Sequence, residues 1–239
     1  MIKQNKIIKQ LIKINNKVIA VFYYKQNDNS VGSYIKEFKK NYIRLIKFFD
    51  KQPSKITINF IYTRKEMDKL WSEKSPKWLC GTVDPKNIYK IYVFSPLVFE
   101  KMTTHKKHEI LPTLIHETAH TFVSQINKRC FAWMNEGVCQ YVEGDDITKR
   151  KIKKKDWDWF IKNNAFFDPD LSWREQAKQD GYKISYNLVK YILKVKDKNK
   201  FIQLLKIRRK GDFKMLKQKM NKIVGNIDLL LDRFSKNNI

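Results

Sequence analysis

Apolar residues recur along this chain with two periods, and the change from one to the other divides it. Residues 18–24 (Val-Ile-Ala-Val-Phe-Tyr-Tyr) are almost wholly β-branched or aromatic, the composition of a strand. Residues 30–50 place Tyr34, Ile35, Phe38, Tyr42, Leu45, Ile46 and Phe49 at helical spacing, so an amphipathic helix is expected there. Residues 55–62 alternate and then run apolar, predicting a second strand, and 64–73 predict a short helix. Gly81-Thr82-Val83-Asp84-Pro85 reads as a turn into a third strand, 88–94, closed by Ser95-Pro96. Beyond it the period is helical throughout: 105–125, 132–143, 150–163, 182–195, 198–208, 212–221 and 226–236, each bounded by Gly, Asp or Asn. Strands first and helices afterwards predict an α+β fold, a small N-terminal mixed sheet followed by a mainly helical part. No Gly/Ser- or Pro-rich linker interrupts the chain, so 1–239 reads as one domain. Its strand-rich part is 1–97 and its helical part 98–239.

The helix expected over 105–125 carries His116-Glu117-Thr118-Ala119-His120. Two residues four apart on a helix lie about 40° apart around its axis and about 6 Å along it. Both imidazoles can therefore close on one tetrahedral ion, with Glu117 beside them and free to reach water on that ion. The pattern needs a helix, and Leu111, Leu114, Ile115, Phe122 and Val123 supply the buried stripe of one. Pro112 belongs in its early turns or at a kink. A catalytic zinc takes three protein ligands and keeps one position open. Glu136, in the first turn of the next expected helix, is the candidate third ligand. A polar turn at 127–130 would send that helix back antiparallel, placing the zinc site between two antiparallel helices.

His-Glu-x-x-His followed by Trp133-x-Asn135-Glu136-Gly137 resembles the gluzincin zinc metallopeptidases, the thermolysin-like or peptidase MA-like group. The resemblance runs from about residue 89 to 234 in the order of elements, but its specific motifs occupy only 116–120 and 133–137. It implies one Zn2+ per chain held by His116, His120 and Glu136, with Glu117 as general base in the hydrolysis of a peptide bond. It implies that the strand 88–94 is the sheet edge along which an extended substrate lies. It also implies a phenol that stabilises the oxyanion, Tyr182 by register or else Tyr186. Ser185 stands where the family has Gly, and Gln140 where thermolysin has an Asp orienting a ligand histidine. Gln140 or Asn135 would orient that histidine here. The family's aminopeptidases anchor the substrate amine on a Glu near the edge strand. No such Glu is present here, so internal cleavage is expected, Asp84 being the one substitute anchor.

The remaining histidines, His105 and His108, are set among lysines that disfavour a second cation. Asp156, Asp158, Trp157 and Trp159 read as an amphipathic helix rim. Three cysteines without a C-x-x-C pair argue against a disulfide scaffold or a thiolate zinc site.

Composition adds one competing idea. The formal net charge is +26, the footprint of a polyanion binder. Eight of the 50 basic residues are Arg, leaving 42 Lys, beside 27 Ile and five Ala. That skew is the mark of an AT-rich coding sequence, whereas phosphate-reading surfaces lean on Arg. Weak, non-specific attraction to nucleic acid is expected in either case. No run of apolar residues is long enough for a membrane span or a signal peptide, so a cytoplasmic location is the expectation. The alternatives to a peptidase are a protease recruited to nucleic acid and a non-enzymatic zinc protein.

Overall fold

A computed structural model describes residues 6–51, 54–144 and 151–239. Among them a five-stranded sheet forms in the order β1-β2-β3-β5-β4. Its members are β1 (Ile7–Ile14), β2 (Lys17–Lys25), β3 (Ile56–Ile61), β4 (Gly81–Asp84) and β5 (Asn87–Phe94). β2, β3 and β5 run parallel, with Ala20 opposite Ile56 and Thr57 opposite Lys90. The two edges, β1 and β4, are antiparallel to their neighbours. The expected α+β class and mixed sheet are therefore observed. The chain divides into two compact units, the first ending at Phe122 and the second beginning at Val123.

In the first unit, α1 (Val31–Phe49) buries the stripe Val31, Ile35, Phe38, Tyr42, Leu45 and Phe49. Phe38 meets Phe22 of β2 edge-on at 5.2 Å, and Phe22 stacks on Phe60 of β3 at 6.1 Å. Tyr42 and Phe49 reach Phe122 at 5.6 and 5.2 Å. Each ring fully removed from water contributes about 1.5–3 kcal/mol. Two short helices, α2 (Arg64–Trp71) and α3 (Phe99–Met102), lie in the connections. α2 starts with a capping box, Thr63 accepting from the Glu66 N–H while the Glu66 carboxylate accepts from that of Thr63. At the carboxyl ends of the parallel strands, buried Asp28 accepts hydrogen bonds from Tyr62 at 3.1 Å and from Ser95. Burial pushes the Tyr62 phenol up to about 12.

The second unit is helical: α5 (Ala132–Glu143), α6 (Lys154–Lys162), α7 (Trp173–Lys178), α8 (Gly181–Val195), α9 (Lys198–Leu205), α10 (Phe213–Val224) and α11 (Ile227–Asn238). Its aromatic core gathers Trp133, Trp157, Phe160, Phe166 and Phe234, with ring separations of 5.2–5.6 Å. The division falls within α4 (Ile110–Ile126).

Two strands were not expected. β1 pairs with β2 through Asn15-Asn16, both at positive φ (47° and 62°), a turn whose hand suits a hairpin. The alternation Ile-Lys-Gln-Leu-Ile-Lys-Ile before those asparagines was the overlooked signal. Gly81–Asp84 is not a turn; it is the strand β4. Consequently 88–94 is not the sheet edge, because β5 lies between β3 and β4 and the edge is β4. The expected helix start at Arg150 lies outside the described residues, and α6 begins at Lys154.

Candidate metal centre

α4 follows a 3-10 turn (Lys107–Glu109) and carries Pro112 as its third residue, where the missing N–H has no partner to lose. Ile110, Leu114, Ile115, Ala119, Phe122 and Val123 are buried. Thr113, Thr118 and Thr121, also buried, satisfy their hydroxyls on the helix's own carbonyls at Glu109, Leu114 and Thr118. With those faces committed, His116 and His120 remain half-buried, their rings 4.8 Å apart at 79°. Glu117 lies between them in sequence and is 9% exposed.

The turn after α4 is held by Asn127, whose buried amide donates to the carbonyls of Leu205 and Ile207 at 2.9 and 2.8 Å. Its Oδ1 accepts the Arg129 N–H at 3.0 Å. α5 then starts with its first turn fixed on both sides. Trp133, 1% exposed, donates its indole N–H to the Phe166 carbonyl at 3.0 Å. Gly137 lies so close to α8 that an added Cβ would stand 2.5 Å from the Ser185 carbonyl oxygen. Trp133 and Gly137 are thus packing residues, and they leave Glu136 between them half-buried.

One ligand atom from each of His116, His120 and Glu136 falls within 4.8 Å of the other two. An ion about 2.0–2.1 Å from each donor in a tetrahedron needs separations of about 3.3 Å, so side-chain shifts of an ångström or so close the set. Two neutral nitrogens and one carboxylate match the donor number and type of an open catalytic zinc site. The group fits.

Around Glu117 the edge strand comes very close. A Cβ at Gly81 would stand 2.9 Å from Thr113 Cγ2, 3.0 Å from Glu117 Cγ and 3.1 Å from Val93 Cγ2. The approach to this strand is anchored by Arg64, whose guanidinium donates to Ser75 Oγ and to the carbonyls of Pro76, Leu79 and Met102. It also lies 4.6 Å from the centre of the Phe94 ring. Burial lowers the Arg64 pKa, the expected sign for a cation taken out of water. Gly81 and Arg64 were missed from sequence. A glycine immediately before a β-branched pair was the available signal for Gly81, and nothing local signalled Arg64.

The tyrosines flank the α8 segment that Gly137 touches. Tyr182, half-buried in the first turn, meets Trp173 edge-on at 4.8 Å. Tyr186 is 7% exposed, with the Tyr141 ring at 6.4 Å and Lys190 over its own ring at 5.7 Å. Tyr182 is the more accessible phenol. Gln140 is buried with its Oε1 lacking a hydrogen bond, so the expected bond from a ligand imidazole is not made. Asn135 Oδ1 faces the Cys139 thiol at 3.9 Å.

His105 is engaged elsewhere, Nδ1 by Glu109 at 2.5 Å and Nε2 by the Trp78 carbonyl at 2.9 Å. Trp157 packs on Phe166 and Phe234, and exposed Asp158 pairs with Lys154. The cysteines are thiols, and burial raises that of Cys130 to about 12. No helix among the described residues is long and apolar enough to cross a membrane. No protein-family model matches this chain, and no curated protein matches it.

Proposed function

We propose that the protein is a zinc-dependent peptidase that cleaves within chains. The observation carrying this reading is the convergence of His116, His120 and Glu136 ligand atoms within 4.8 Å. Glu117, on the same helix, is a carboxylate that a purely structural ion has no use for. Bound there, zinc would supply Lewis acidity toward water and an acyl carbonyl. Glu117 takes a proton from the attacking water as the C–O bond forms, and returns it to the amine nitrogen as the C–N bond breaks. Tyr182 donates a hydrogen bond to the oxyanion. The resemblance in 116–120 and 133–137 supports the same assignment.

Internal cleavage is favoured by the edge strand. An extended peptide can add to β4 by main-chain pairing and continue past the site in both directions. The one acidic group on β4 is already employed: Asp84 Oδ1 accepts the Lys86 N–H at 2.8 Å and lies in the field of Lys90. It is therefore a poor anchor for a substrate ammonium.

Metal analysis of purified protein together with a peptide-library digest tests the proposal. About one zinc per chain is expected, lost in His116→Ala, His120→Ala and Glu136→Ala. Glu117→Gln should keep zinc and lose hydrolysis by roughly 10²–10⁴-fold. Full activity in Glu117→Gln, or full zinc in Glu136→Ala, would overturn the respective assignment.

A further inference from the structure

We propose that a concavity at the start of α6 is a binding site for a phosphate-dense anion. It has a volume of about 540 Å³ and is lined by Lys151, Lys153, Lys155, Lys178 and Lys183, with Asp156 and Asp180. That volume lies within the roughly 300–1,000 Å³ of small-molecule sites. Lysine makes up 42 of 239 residues, so eight lining positions should hold one or two by composition alone, whereas five are lysine. Five of the eight described lining residues are thus lysine, above the chain average.

The charges do not cancel internally. Lys183, with a side chain 7% exposed, is bound to Asp180 and donates to the Lys151 carbonyl at 3.0 Å. That pair neutralises itself and stiffens the wall. Among the described lining residues Asp156 is then the one carboxylate left for Lys151, Lys153, Lys155 and Lys178, and Lys178 also lies in the field of Glu175 on its own helix. None of these four has a carboxylate partner among the described residues, while the neighbouring Lys154 is paired with Asp158 at 2.7 Å. The N-terminus of α6 adds to the same field, because its N-cap Lys153 supplies no side-chain acceptor to the first-turn N–H groups. Four like charges around one concavity repel one another, and a multivalent anion relieves that repulsion most effectively.

Phosphate is the anion this lining favours. Among the described lining residues there is no arginine to fork onto a planar carboxylate and no aromatic ring to stack on a base. Lysine ammonium groups act as compact point charges that suit oxygens arrayed in several directions. The phosphates could come from a small polyphosphate or from a nucleic-acid backbone, and binding measurements separate the two.

Sodium triphosphate, a duplex DNA oligonucleotide and an oligoglutamate peptide are titrated into the full-length protein at about 50 mM and about 200 mM salt. The expected result is saturable triphosphate binding with one site per chain, retained at the higher salt. Lys151→Gln/Lys153→Gln/Lys155→Gln should weaken it on the order of tenfold or more. The equally charged control Lys214→Gln/Lys219→Gln/Lys222→Gln, on the exposed face of α10, should change it less than about twofold. Tighter DNA binding that depends on the same three lysines supports the site and assigns its phosphates to a backbone. Equal weakening by both triple variants, or oligoglutamate binding as tightly as triphosphate, overturns the proposal.

Discussion

Gly81→Ala adds one methyl group at the point where the edge strand meets the helix that carries His116, Glu117 and His120. Its three nearest neighbours would lie at 2.9, 3.0 and 3.1 Å, well inside ordinary carbon–carbon contact. Two of them cannot yield. Val93 is fully buried, and Thr113 is held by its hydroxyl to the Glu109 carbonyl at 2.8 Å. The third, Cγ of Glu117, belongs to the side chain with most rotational freedom, so the strain falls on the proposed base. Overpacking of this kind costs about 1–3 kcal/mol. For a chain of this length that is a fall in Tm of about 2–10 °C. Calorimetry with parallel peptide-hydrolysis assays measures both effects. Thr113→Ser removes the nearest carbon, Cγ2, and keeps the hydroxyl, so Gly81→Ala/Thr113→Ser should recover roughly 0.5–2 kcal/mol of the loss. A Gly81→Ala protein with unchanged Tm and unchanged turnover would refute the close approach on which the argument rests.

Gly137→Ala should be worse than Gly81→Ala, since its Cβ would meet the backbone of Ser185 at 2.5 and 2.7 Å and no side-chain rotation relieves that. Urea unfolding should show a loss of about 3 kcal/mol or more, with a reduced zinc content. Burial acts to raise the Glu109 pKa, but hydrogen bonds from His105 and the Lys106 N–H outweigh it and hold the carboxyl below its ordinary value. A depressed folded pKa means stability present in full above the unfolded value, about 4.3, and lost as pH falls through the folded one. Glu109→Gln should therefore flatten the acid limb of a stability–pH curve below about pH 4.3, and an unaltered limb would count against the shift. Cleavage of a peptide should survive N-acetylation, as mass spectrometry of the products would show; loss of cleavage would indicate an aminopeptidase.

What could be read from the chain depended on whether its cause was local. The helix bearing His116 and His120 was legible because burial stripe and ligand spacing share one period, so the chemistry and the fold point to the same register. Glu136 was legible as a candidate because a catalytic zinc site takes three protein ligands and the next helix start offered a carboxylate, and the structure brings that carboxylate to within 4.8 Å of both histidines. The turn between them was visible only as polarity. Its actual anchor, Asn127 on the Leu205 and Ile207 carbonyls, joins residues about eighty apart in sequence, and no local pattern carries that. The misplaced sheet edge has the same origin. Gly81–Asp84 is four residues long and too short for a period to declare itself, so its Gly and Pro neighbourhood read as a turn. Strand order is set by pairing across the sheet, and β4 becomes the edge only because β5 inserts beside β3 in parallel. That correction bears on function, since it moves the proposed peptide-pairing strand from residues 88–94 to β4, whose first residue, Gly81, lies close to Glu117. The tight glycine at its start then has a physical reason. A side chain there would separate the edge strand from the proposed base, and a peptide on that edge could no longer lie within reach of both.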